Sequence, residues 1–127
     1  MTTNIELEQE ANRLKLKNFR GVFMRDELKF KPFKKECGIL NLDISKNDGT
    51  HWVAWSKDKD NKIYFDSFGV QPPLELIKYL KSPILYNTFQ IQQYNDTNCG
   101  EWCLHVLNEL NKGRNYFDII LEIVNDR

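Results

Sequence analysis

Residues 93–107 read QYNDTNCGEWCLHVL, a stretch in which a polar loop turns into an apolar-periodic helix at a cysteine. Apolar residues recur with helical spacing after Cys99, so we predict a helix over 99–112 with Thr97 or Asn98 as its N-cap. The start of a helix supplies free backbone N–H groups and partial positive charge, which favour a thiolate over a thiol. Cys99 is therefore predicted to be a nucleophile.

Upstream of this helix, two β-prone runs are predicted to form a hairpin. They are HWVAW at 51–55 and IYFD at 63–66, and a polar segment at 57–62 separates them. Paired positions in a hairpin have a constant sum, and side chains alternate between the two faces. An even-numbered loop puts His51 and Asp66 on one face, whereas an odd-numbered loop separates them. The preference for two- and four-residue loops favours the same face.

Two registers with an even loop remain open. A loop centred between residues 58 and 59 puts His51 directly opposite Asp66. A loop centred one residue later puts Asp66 opposite Val53, on the same face as His51. In either register Asp66 can accept a hydrogen bond from one imidazole nitrogen and leave the other to take the proton of Cys99.

Each of these residues also has a purely structural explanation. His51 can be a strand-end histidine bonded to a turn, Asp66 a turn residue, and Cys99 a small buried hydrophobic residue. Those explanations do not predict that all three occur together with a polar amide before the cysteine. The combination favours a catalytic site.

Two glutamines precede the cysteine and are candidates for stabilising an oxyanion. Gln93 can donate its side-chain N–H to a tetrahedral intermediate, together with the backbone N–H of Cys99. Gln92 is the competing candidate, because alternation along a strand sends the two side chains to opposite faces. Gly100 either permits close approach of substrate to the nucleophile or is simply tolerated in the first helical turn.

The same residue types also raise the alternative of a zinc site. His51, Cys99, Cys103 and His105 are the candidate ligands, but no C-x-x-C pair occurs, and His105 lies on a different helix face from the two cysteines. Cys103 lies one turn beyond Cys99 and is predicted to belong to the core. With Cys37 the chain has three cysteines, an odd number that argues against a disulfide framework and for a reducing environment. We predict no metal and no cofactor.

Composition limits the remaining function classes. A chain of 127 residues suits one domain, and 18 basic against 18 acidic residues give no net field toward nucleic acid or a membrane. Residues 15–35 hold eight basic and two acidic side chains, which we interpret first as a solvated face. The acidic N-terminus lacks an apolar signal region, and no stretch is long enough to span a bilayer, so we expect a protein that is not secreted.

Further elements follow from periodicity and from Gly and Pro positions. We predict an irregular, basic and aromatic segment at 19–35, and Pro72-Pro73 and Ser82-Pro83 are expected to bound a short helix. Gly113 suits the position after the helix that starts at Cys99. The other predicted elements are an amphipathic helix at 4–16, strands at 37–43 and 84–91, and a closing apolar helix at 116–124.

The order of the site residues resembles that of a known group of enzymes. His51-Trp52, Asp66, Gln93 and Cys99-Gly100 follow the order found in the adenovirus maturation protease and in proteases of ubiquitin-like modifiers. The resemblance covers roughly residues 18 to 110. The chain looks closer still to adenain-like proteases of virophages and Polinton (Maverick) elements, in the stretches at 19–28, 49–54, 64–69 and 86–92.

The resemblance implies an α/β (α+β) papain-like cysteine protease fold in permuted chain order, with a small mixed or antiparallel sheet packed on a central helix that starts at Cys99. It also implies a cysteine endopeptidase with a Cys-His-Asp triad that cleaves viral capsid or core precursors at glycine-containing sites during particle maturation. Trp52 would wall a narrow slot for small side chains. The expected setting is a virion or the host cytoplasm or nucleus, and the expected state is a monomer.

Three departures from the group bear on the alternatives. The acid is Asp66, as in the modifier proteases, where the adenovirus enzyme has Glu. Asn98 precedes the nucleophile where modifier proteases usually have Asp. The chain is also much shorter than the adenovirus enzyme, so activation by a peptide and by DNA is not carried over, and the basic segment 15–35 only suggests contact with DNA. The alternatives are a protease of a ubiquitin-like tail and a non-catalytic peptide-binding module.

Overall fold

The computed structural model of the chain describes residues 3–47, 49–91 and 98–126. In these ranges one mixed sheet has the strand order β1-β2-β3-β4-β5, with β1 parallel to β2, β5 parallel to β4, and the central pairs antiparallel. The helices are α1 (Asn4–Arg13), α2 (Leu74–Leu80), α3 (Cys99–Asn111) and α4 (Tyr116–Asp126), and the strands are β1 (Phe19–Met24), β2 (Lys35–Asn41), β3 (Trp52–Asp58), β4 (Asn61–Phe65) and β5 (Leu85–Tyr86).

Helices cover both faces of the sheet, which is why the central strands carry apolar residues at successive positions. On one face Ala54 and Phe65 pack with residues of α1, α3 and α4. On the other face Trp55 and Tyr64 pack with α2. Gly38 is required under the indole ring, because a Cβ there would lie 2.3 Å from Cη2 of Trp55. On the opposite face, α3 packs against β3 in the middle of the sheet.

The hairpin has the second of the two even registers. Asp58 pairs with Asn61 around a two-residue turn, and Ala54 pairs with Phe65. The even-numbered loop that the prediction required is therefore confirmed. His51 and Asp66 lie just outside β3 and β4, so the strand register does not assign them a face.

Several predicted elements are confirmed. The helix at Cys99 ends at Asn111, and Gly113 has a φ of 88°, the left-handed conformation typical of the residue after a helix. Asn98 is the N-cap by position, without a side-chain cap hydrogen bond, and Thr97 lies outside the described residues. The closing helix docks through Ile119 and its apolar neighbours. No helix in the described ranges is long and apolar enough to cross a membrane.

Two predictions from local sequence were wrong. Segment 19–35 is not irregular throughout, because Phe19–Met24 forms β1 and pairs with β2, a long-range partner that local composition does not reveal. The strand predicted over 84–91 is confined to Leu85–Tyr86. It stops there because the Asn87 side chain turns inward and hydrogen-bonds the backbone of Asp66.

Candidate active site

His51 and Asp66 meet at one end of the hairpin, where β3 begins and β4 ends. Nε2 of His51 lies 2.6 Å from Oδ1 of Asp66, and both residues are buried. The antiparallel register brings the two positions to the same end of the sheet. Asp66 therefore fixes one ring nitrogen of His51 and leaves the other for a second partner.

The second partner is the thiol of Cys99, which is hydrogen-bonded to the His51 side chain. Because Asp66 holds Nε2, the nitrogen available to the thiol is Nδ1. α3 begins at Cys99 and packs against β3, so the thiol lies at a helix N-terminus beside the histidine. The structure thus brings together three of the four predicted catalytic residues.

The surroundings favour a charged pair. Burial by itself raises the pKa of Cys99, but hydrogen bonds from His51 and from the backbone N–H groups of Trp52 and Gly100 outweigh it, so the pKa lies below its ordinary value. Burial by itself lowers the pKa of His51, but its hydrogen bonds to Asp66 and Cys99 raise the pKa to about 9. A thiolate and an imidazolium can therefore coexist at neutral pH.

The other two cysteines have the opposite character. Burial and the neighbouring Glu36 raise the pKa of Cys37 to about 12, and its Sγ lies 3.6 Å from the carbonyl oxygen of Lys17. Burial raises the pKa of Cys103 well above its ordinary value. Cys103 is completely buried, as predicted for a core position. Only Cys99, among the three, has the character of a nucleophile.

A second set of contacts holds Asp66 itself, and the sequence reasoning missed it. The backbone N–H of Phe68 donates to Oδ1 of Asp66 at 2.8 Å. Asn87 accepts from the Asp66 N–H at 3.1 Å and donates to the Asp66 carbonyl at 2.6 Å. The Tyr116 hydroxyl lies 2.9 Å from the Tyr64 carbonyl and 3.0 Å from Oδ1 of Asn87. A buried network therefore connects α4 to the backbone of Asp66.

The sequence reasoning also missed Phe68, whose ring is stacked on that of His51. Residues 66–69 form a turn, so the strand register does not extend to Phe68. No signal existed for Asn87 or Tyr116 either, because neither their sequence spacing nor their residue type relates them to Asp66.

The remaining predicted site residues have different outcomes. Trp52 and Gly100 are buried, and Trp52 belongs to the same core cluster as Cys99. Gln92 and Gln93 lie outside the described residues.

His105, a candidate ligand of the alternative zinc site, is exposed, and its ring contacts that of Trp102 edge-on instead of approaching Cys99. In the described ranges, no three His, Cys, Asp or Glu side chains are grouped so that they could hold a metal ion.

No protein-family model matches the sequence, and no curated protein does so either. Among solved structures, the chain is similar to the ASFV pS273R protease, with a TM-score of 0.69 and 20% identity over 91% of this chain and 59% of that one. The selenomethionine form of that protease gives a TM-score of 0.63 and 19% identity over 92% and 60%. The chain therefore spans about three fifths of the length of that protease. The likeness shows the fold, and it confirms the predicted mixed sheet packed on a central helix that starts at Cys99.

Proposed function

We propose that the chain is a cysteine endopeptidase with Cys99 as nucleophile, His51 as base and then acid, and Asp66 as the residue that orients His51. The observation that carries the proposal is the continuous hydrogen-bonded series from Asp66 through His51 to Cys99 at the start of α3. The fold shared with the ASFV pS273R protease supports the same activity class. No step of the reaction needs a metal ion.

The reaction follows from the charged pair. The Cys99 thiolate attacks the scissile carbonyl carbon, and the negative charge moves to the carbonyl oxygen. The backbone N–H of Cys99 and the side chain of Gln93 are the proposed donors to this oxyanion. The imidazolium of His51 gives its proton to the leaving amine, and the neutral ring then takes a proton from the water that hydrolyses the thioester.

The proposed substrate is a polypeptide that reaches Cys99 in an extended, narrow form. Cys99 is 3% exposed and Trp52 is 5% exposed, so little of the proposed nucleophile can be reached from solvent. A glycine-containing segment meets this restriction best, since it has the least side-chain volume. We propose precursors encoded by a virus or a virus-like element as the natural substrates, following the sequence resemblance.

The first test is the pH dependence of alkylation at each cysteine by iodoacetamide, read by mass spectrometry. We expect Cys99 to react well below the free-thiol pKa of about 8.5 and to lose that advantage in His51→Ala. Cys37 and Cys103 are internal references, because burial raises both of their pKa values. A Cys99 that titrates as an ordinary thiol in both proteins would contradict the resting pair and favour a peptide-binding module.

The second test is cleavage of peptides and of candidate precursors. We expect cuts beside glycine in a Gly-Gly-containing precursor and none by Cys99→Ser, which keeps the size and polarity of the side chain. Cleavage confined to the tail of a ubiquitin-like protein would favour the modifier protease. If the wild-type protein binds the same peptides but does not cut them, the result would contradict the proposed endopeptidase activity.

A further inference from the structure

We infer that Phe68 is a positioning residue of the proposed reaction, whose ring holds the His51 imidazole in line between Asp66 and Cys99. The two rings are stacked with centroids 3.9 Å apart and planes only 4° apart. The inference rests on the proposed function, because it assigns the stack a role in proton transfer.

Phe68 contacts both members of the acid–base pair. Its backbone N–H donates to Oδ1 of Asp66 at 2.8 Å, and the same oxygen lies 2.6 Å from Nε2 of His51. Hydrogen bonds to Asp66 and Cys99 fix the direction of the imidazole within its plane, and the stacked ring fixes the tilt of that plane. Together these contacts leave the His51 ring little freedom to rotate away from the thiol.

The turn that carries Phe68 is built for this placement. The N–H of Gly69 donates to the carbonyl of Asp66 at 2.8 Å, which closes the turn over residues 66–69. Gly69 has a φ of 74°, and a Cβ there would lie 2.7 Å from the backbone of Phe89. The glycine thus lets the chain bend so that Phe68 lies over His51 instead of entering the core, and its side chain stays half-buried.

The stack also favours the charged form of the ring. A cation over the face of a ring is attracted by the negative charge of that face. The face of Phe68 lies against the His51 ring, with centroids 3.9 Å apart, so the imidazolium gains an attraction that the neutral imidazole lacks. The Phe68 ring thus helps to keep the proton on His51.

The test compares wild type, Phe68→Leu and Phe68→Tyr. The chain has two histidines, His51 and the exposed His105, so imidazole proton NMR reports the pKa of His51 beside an internal reference. We expect Phe68→Leu to lower the pKa of His51 by about half a unit, since an aromatic face is lost, and to leave His105 unchanged. We expect kcat to fall about tenfold with KM nearly constant, because the base is less well oriented.

Phe68→Tyr keeps the aromatic face and is expected to restore both the pKa of His51 and most of kcat. Thermal unfolding of each variant checks that the comparison is between folded proteins, and Phe68→Met replaces Phe68→Leu if the latter does not fold. An unchanged His51 pKa and kcat in folded Phe68→Leu would overturn the inference. Equal losses in Phe68→Tyr and Phe68→Leu would do the same.

The two failures can be told apart. If wild type cuts no peptide and Cys99 titrates as an ordinary thiol, the proposed function fails, whatever Phe68 does. If wild type is active and Cys99 is readily alkylated, but the His51 signal does not respond to loss of the aromatic ring, only the role of Phe68 fails.

Discussion

Two buried carboxylates of one sheet, Glu36 and Asp66, have opposite surroundings. Glu36 is 2% exposed and accepts from fixed donors through both oxygens: Arg20 Nη1, the Phe33 N–H, Trp55 Nε1 and the Tyr79 hydroxyl. Asp66 is 1% exposed, and its Oδ1 contacts the Phe68 N–H and one ring nitrogen of His51. Both side chains are carboxylates, but only Asp66 has a histidine among these partners.

That difference separates a carboxylate that stabilises the fold from one that belongs to the candidate active site. The guanidinium of Arg20 is held over the rings of Phe30 and Phe33, with 4.4 Å and 3.7 Å from its Cζ to the ring centroids. The four donors around Glu36 are groups that hold the fold together, and none of these four hydrogen bonds leads to a thiol. His51 can gain and lose a proton and interacts with a thiol, so the charge of Asp66 influences the protonation of Cys99 through His51.

The largest effect is expected on removing the titratable donor. We expect His51→Ala to lower kcat/KM about 10⁴-fold, because Cys99 loses its base and the leaving amine its acid. His105→Ala is the matched control, since His105 is exposed, and it should stay within about twofold of wild type. Peptide cleavage measures both. A kcat/KM of His51→Ala within about tenfold of wild type would show that His51 is not the base and acid of the reaction.

The next effect is expected at Asp66. Asp66→Ala removes the acceptor that orients His51, and we expect kcat/KM to fall about 10²- to 10³-fold. Asp66→Asn keeps an acceptor oxygen and should recover part of that loss. Cleavage rates and the pH dependence of Cys99 alkylation check both variants. Equal losses in Asn and Ala variants would mean that the negative charge matters and the hydrogen bond does not.

Substitution of Glu36 should lower the stability of the protein and leave its activity nearly unchanged. Glu36→Gln leaves the half-buried guanidinium of Arg20 without its counter-charge, and we expect the free energy of unfolding to fall by about 3 kcal/mol. The activity of the folded fraction should stay within about twofold of wild type, because the cluster does not contact Cys99 or His51. Urea unfolding and active-site titration separate the two quantities. A large loss of kcat in a fully folded Glu36→Gln protein would contradict a purely structural role.

The pH dependence of the wild-type protein tests the pair of Cys99 and His51 without any substitution. The lowered pKa of Cys99 sets the acid limb of kcat/KM, and His51, with a pKa of about 9, sets the alkaline limb. Activity should rise as the Cys99 thiol ionises and fall as pH passes about 9, where the imidazolium loses the proton that the leaving amine needs. Initial rates at constant ionic strength give both limbs. An alkaline limb near the ordinary histidine pKa of about 6.5 would mean that Asp66 and Cys99 do not hold the proton.

What the sequence could predict follows from short-range rules. The helix at Cys99 depends on periodicity and the even-numbered loop between β3 and β4 on turn preference, and both were predictable. β1 was not, because its pairing with β2 is parallel and long-range. The two contacts of Asn87 with the Asp66 backbone were also out of reach, because a polar residue in a β-prone run gives no indication that it will turn inward. The sequence therefore predicted His51, Asp66 and Cys99 of the candidate site, but not most of the residues that hold them in place.

The smallest effect is expected where the network under Asp66 reaches α4. Tyr116→Phe removes a buried hydroxyl that lies 2.9 Å from the Tyr64 carbonyl and 3.0 Å from Oδ1 of Asn87. We expect a loss of about 1 kcal/mol in unfolding free energy, since the ring still fills its site and one hydrogen bond is lost. Urea unfolding measures this loss, and kcat/KM should change less than about twofold because Asn87 still holds the backbone of Asp66.

Asn87→Leu is the variant to set beside it, because it leaves both the N–H and the carbonyl of Asp66 without the Asn87 partner. We expect about 2 to 3 kcal/mol of destabilisation together with a fall in kcat, since the backbone that carries the carboxylate is released. If Tyr116→Phe instead lowered kcat as much as Asn87→Leu, the α4 hydroxyl would itself govern the orientation of Asp66. The residues that affect catalysis would then extend beyond Asn87 to Tyr116 on α4, because the position of the Asp66 carboxylate depends on the backbone that carries it.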